Sequence, residues 1–158
     1  MLAAITQVLN QDSDTQVDVC MTSEMARRIE LWTAMYEDNA PWVDRKKVKS
    51  AQLPAAIASE VARLVTLEMK SEITGGSSAT YLNEQYQKKV LKSIRRYVEY
   101  GCAKGGLILK PYVTKTGLAI QYVQADCFFP LAFDDSGQIQ QCVFTEQFRK
   151  GQKIYTRL

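Results

Sequence analysis

The sequence predicts an α+β fold, and three observations carry that prediction. Apolar residues recur at helical spacing as far as about Gly105 and at every second position after it. The first part holds helix-start signals such as Ser23 and Pro54, whereas the second is cut into short β-type runs by "TKTG", "QAD", "DDSG" and "RKG". With 158 residues, 46% of them hydrophobic and 23% charged, the chain can bury a core and has ordinary globular composition.

Taken in order, "AAITQVLN" is a short amphipathic start and "QDSDTQVD" a polar loop. Residues 1–22 therefore read as an N-terminal segment and 23–158 as one α+β domain. In "TSEMARRIELWTAMYED", Thr22 or Ser23 can cap the first turn and Glu24 favours the positive end of the helix dipole. Met25, Ile29, Trp32 and Tyr36 follow at helical spacing, which predicts a helix over about residues 23–37. Pro41 disfavours helical geometry at Ala40, so "NAPWVDRKKVKS" reads as a loop with a short extended piece.

Pro54 is pre-set for a first turn, and Ile57, Val61, Leu64, Val65 and Met69 continue the apolar period of a second helix over about 54–70. After the small, flexible "TGGSSAT", a third helix runs over about 81–103. At about 100° per residue its residues divide into two arcs. Tyr86, Val90, Leu91, Ile94, Tyr97, Val98 and Gly101 share one, and Lys88, Lys89, Lys92, Arg95 and Arg96 share the other. Beyond Gly105, "LILKPYV", "LAIQYVQ", "CFFPLAF", "IQQCVFTEQF" and "KIYTRL" read as strands of an antiparallel meander. The last run stops at Leu158 without a turn, cap or polar tail, so it reads as cut inside a hairpin or sheet.

Composition excludes several functions. Twenty cations against seventeen anions give a net charge of +3, too little to demand an acidic partner. The absence of histidine removes Ser-His-Asp and Cys-His catalysis and leaves Cys20, Cys102, Cys127 and Cys142, all far apart, unable to complete a zinc site. Cys102, Cys127 and Cys142 lie among apolar or β-forming neighbours and read as buried free thiols in a reducing compartment. "MLAAITQVLN" lacks a basic signal-peptide start and no run is long enough to span a bilayer, which predicts a soluble cytoplasmic protein with no membrane partner.

The glycine motifs point to geometry. "GCAKGG" follows a helix and precedes a strand, the reverse of a phosphate-binding loop, and "TGGSSAT" lacks the lysine such a loop needs. Gly101 reads as a close-packing residue, with Gly105 and Gly106 carrying the chain out of the helix. "FDDSGQI" lacks the further ligands of a calcium loop, so Asp134 and Asp135 read as turn residues beside Gly137 at positive φ. The expectation is no catalytic residue, no cofactor, no metal and no enzyme activity. The remaining candidate contacts are Lys88, Lys89, Lys92, Arg95 and Arg96, which could meet phosphate or a neighbouring subunit. Because Tyr86 and Tyr97 lie on the opposite arc, aromatic residues for base stacking are missing from that face. A solvated or subunit-facing surface is therefore favoured, and the alternative is a nucleic-acid-binding α+β module using helix 88–96.

Two stretches carry a family resemblance. "MARRIELWTAMYEDNAPW", with its Trp-x3-Tyr and terminal Pro-Trp, resembles the N-terminal part of tailed-bacteriophage portal proteins, also known as phage minor structural proteins. So does the ordered set "YVEYGCAKGGLILKPYV", "YVQADCFFP", "DDSGQI" and a final aromatic-bearing hairpin, with "LPAAIASEVARLVTLEMKSEI" resembling the helix before the long helix. The resemblance covers nearly the whole chain from about Met25 and implies the wing region of a portal subunit. It implies a noncatalytic virion protein of a phage or prophage, assembled in host cytoplasm into a dodecameric ring at one capsid vertex. Its partners would be other portal subunits, capsid protein, terminase and head-tail adaptor. Double-stranded DNA would pass through the channel during packaging and ejection, mostly against stem helices and a tunnel loop later in such chains.

Overall fold

The computed structural model of the protein describes residues 2–11, 18–44, 47, 50–115, 117–151 and 153–157. The fold is α+β: helices come first and antiparallel strand pairs follow. The chain forms two compact units, one of residues 31–125 and the other of residues 1–30 with 126–158, and helix α2 (Ser23–Tyr36) passes from one to the other.

The unit of residues 31–125 holds α3 (Leu53–Leu67), α4 (Ala79–Tyr86), α5 (Ile94–Lys104), β1 (Leu107–Thr114) and β2 (Gly117–Gln124). α3 packs on α5, and β1 pairs with β2 from Leu107↔Gln124 to Thr114↔Gly117. Gly105 takes the left-handed conformation at the end of α5, φ 84°, and a Cβ there would lie 3.0 Å from the Trp32 ring. Gly101 serves the turn into the sheet, because a Cβ there would come within 3.3 Å of the Leu107 Cβ.

The other unit holds α1 (Leu2–Leu9), β3 (Phe128–Phe133), β4 (Ile139–Phe144), β5 (Glu146–Lys150) and β6 (Lys153–Arg157). Ile5, Ile29 and Phe129 are buried, the Phe128 and Phe144 rings meet across β3–β4, and the Cys20 N–H donates to the Pro130 carbonyl at 2.8 Å. Thr22 caps α2 by accepting the Met25 N–H at 3.1 Å. In the β3–β4 turn, Asp134 accepts the Ser136 N–H at 2.9 Å, the Ser136 hydroxyl at 2.7 Å and the Gln138 N–H at 2.8 Å, with Gly137 at φ 79°. The expected tight turn is present.

Four expectations need correction. First, the helix over 81–103 is not continuous. A π-helical turn occupies Gln87–Leu91, where Lys92 N–H reaches back five residues to Gln87 O and Ser93 N–H only three to Val90 O. α5 restarts at Ile94. Second, the helix expected over 54–70 is present, but the apolar period of Ile57, Val61, Leu64 and Val65 that marks it is not its packed edge. α3 packs through Ala58 and Ala62, the latter 0% exposed, while Ile57 and Leu64 are 61% and 58% exposed. Small side chains let two helices approach closely, which a reading that ranks residues by hydrophobic size misses. Third, among the described residues the strands form three two-stranded sheets rather than one meander. "IQQCVFTEQF" divides at Thr145, whose N–H leaves the strand pairing to reach Cys127 O at 3.0 Å. Fourth, none of the four cysteines is in a disulfide, but Cys102 is exposed and Cys127 and Cys142 are only half-buried.

Part of the expected loops, including residues 12–17, and the terminal Leu158 lie outside the described residues. Among the described residues no helix is long and apolar enough to cross a membrane, and no group of three or more His, Cys, Asp or Glu side chains is placed to hold a metal.

Candidate functional site

The basic helical stretch is positioned by a tyrosine on β2. Tyr122 O–H donates to the carbonyls of Lys89 and Val90 at 2.7 and 3.3 Å, two acceptors inside the π-helical turn. Its ring stacks on Tyr97, with centroids 3.5 Å apart and planes 1° from parallel. Burial, and after it the neighbouring Tyr97 and Tyr86, raise the Tyr122 pKa, so the phenol keeps the proton that it donates. Lys89 Nζ donates in return to the Leu118 carbonyl of β2.

That exchange separates the five candidate cations. Lys88, Lys92, Arg95 and Arg96 are exposed, whereas Lys89 is half-buried and turned to β2. Lys88 pairs with Glu84 one turn earlier at 3.5 Å. Arg96 Nε donates to the Tyr100 hydroxyl at 3.0 Å, and its guanidinium carbon lies 5.7 Å from that ring's centroid. Arg95 faces α3: the Glu60 carboxyl is held below its usual range by the Arg63 hydrogen bond and charge, with a smaller contribution from Arg95.

Lys92, Ser93, Arg95, Arg96 and Glu99 line a depression of about 420 Å³. Three cations and one carboxylate give it an excess of positive charge, suited to an anionic group. Glu99 is anchored by Tyr36, whose O–H donates to Oε1 at 2.7 Å. Burial, then the Glu99 hydrogen bond and charge, push the Tyr36 phenol well above its ordinary pKa, so it stays protonated. The depression therefore offers positive charge and hydrogen-bond donors.

Sequence reasoning identified Lys92, Arg95 and Arg96 but missed Ser93, Glu99 and the tyrosines Tyr36 and Tyr100 that bond Glu99 and Arg96. Tyr36 meets Tyr100 edge-on at 5.9 Å, and Tyr100 meets Tyr97 at 6.2 Å. Glu99 lies three and four residues after Arg96 and Arg95, a spacing that signals side-chain proximity on a helix. Lys104, at the last position of α5, is buried at 6% exposure where a cation favours the negative end of the helix dipole. In comparisons with protein-family models, curated proteins and solved structures, nothing matches this chain.

Proposed function

We propose that the chain is a structural, noncatalytic subunit of a phage portal ring at a capsid vertex, part of the channel for DNA packaging and ejection. The order of elements carries this reading. A helix bearing Trp32 and Tyr36 leads to a small-faced helix, then a basic helical stretch with a diglycine exit, then successive hairpins. Its exposed apolar side chains, Trp42, Leu53 and Ile57 among them, suit an assembly component. Capsid protein, terminase and adaptor would be its partners in the virion.

The second reading is a nucleic-acid-binding module, and the depression lined by Lys92, Arg95 and Arg96 favours it. A salt series separates the two. Under the portal reading this chain binds duplex DNA weakly, and replacing Lys92, Arg95 and Arg96 with glutamine changes neither binding nor folding. Tight binding that falls with log salt at a slope of about −0.9 per neutralised phosphate, and disappears in the triple variant, would favour the nucleic-acid module instead.

A further inference from the structure

The apolar stripe of α3 is wider than its buried edge. Ala58 and Ala62 are buried against the rest of their unit, and Leu53, Ile57, Val61, Leu64 and Val65 form an exposed row beside them. An apolar stripe calls for burial across its whole width. At roughly 100 Å² apiece these five side chains present about 500 Å² per copy, at the upper end for a single protein's largest patch and a large part of the ~800 Å² that one partner contributes to a stable interface.

We propose that this face pairs with the same face of a second copy, the two α3 helices antiparallel about a two-fold axis at Val61. A two-fold contact requires a patch complementary to itself, and the α3 row meets that condition. Leu53, Ile57, Val61 and Val65 are spaced four residues apart, the ridge that interdigitates with an identical ridge. With Val61 on the axis, Ile57 of one copy faces Val65 of the other. Glu68, just after α3, faces Pro54 in the first turn of its counterpart, where the helix dipole favours a carboxylate. That helix start is otherwise poorly served, because Gln52 makes no side-chain cap. No acid meets an acid and no base meets a base along the row.

A two-fold contact cannot repeat around a closed cyclic ring. The pair is therefore a state of the free subunit, and it stands or falls separately from the portal reading. The test is sedimentation of the 158-residue chain over a roughly hundredfold range of concentration. A dimer is expected, and Val61→Glu should reduce the mass to one chain while leaving helical circular dichroism unchanged. In a Cys20→Ser/Cys102→Ser background, Val61→Cys should give a disulfide-linked dimer on mild oxidation, and Glu84→Cys on α4 should not. A monomer throughout, or a dimer that survives Val61→Glu, overturns the proposal. Rings without a crosslink at position 61 would overturn the pair while leaving the portal reading standing, whereas a crosslinked dimer in a protein that never forms rings would support the pair and count against the portal.

Discussion

Tyr122 links its strand to the helix through a single hydroxyl group, the donor to both Lys89 O and Val90 O. Tyr122→Phe keeps the ring stacked on Tyr97 and removes that donor, and should cost about 0.5–1.5 kcal/mol in denaturant unfolding. Asp134 acts at the same scale through charge. Hydrogen bonds from the Ser136 side chain and the Gln138 backbone, with smaller ones from Gln140 and the Ser136 backbone, lower its pKa from 3.8 to about 2. A depressed carboxyl contributes stability that is fully present above its unfolded value and is lost as pH falls through its folded value. Unfolding measured from about pH 5 down to pH 2 should therefore show wild type and Asp134→Ala converging as the carboxylate protonates. A gap that stays constant over that window would mean that the turn does not depend on the charge.

At the scale of elements, α3 and the basic stretch divide the work between packing and charge. Ala62, fully enclosed, sets the approach of α3 to α5. Ala62→Leu should destabilise the protein by about 1–3 kcal/mol in thermal or denaturant unfolding, since the added methyl groups have no space to fill. A neutral result would mean that the helices are not closely packed there. By contrast, exposed pairs such as Lys88–Glu84 and Arg28–Glu24 are worth little, typically up to about 1 kcal/mol each. The helix starts at Ser23 and Pro54 were legible because caps and proline act locally, and the turns around Gly105 and Gly137 were legible for the same reason. The π-helical turn was not. It depends on Tyr122, more than thirty positions away, supplying a donor to the interrupted ladder, and the 3.6-residue period carries no trace of that.

Across the whole molecule, the α+β class and the change of period near Gly105 were legible, because alternation and helical spacing follow from backbone geometry alone. Which face of α3 is inside was not, since the larger residues face outward and the core contact belongs to alanines. The candidate site was legible in part: Lys92, Arg95 and Arg96 come together, but the removal of Lys89 to β2 and the presence of Glu99 depend on tertiary contacts. The work proposed for this molecule is assembly. Negative-stain electron microscopy of the purified protein, with particles averaged along the symmetry axis, tests it most directly. The portal reading predicts that under some solution condition the free subunits, paired or single, give way to closed rings with a central channel and a single cyclic symmetry, twelvefold as in the assembled virion. Particles that never close into rings under any solution condition, at concentrations where the protein remains folded, would contradict it.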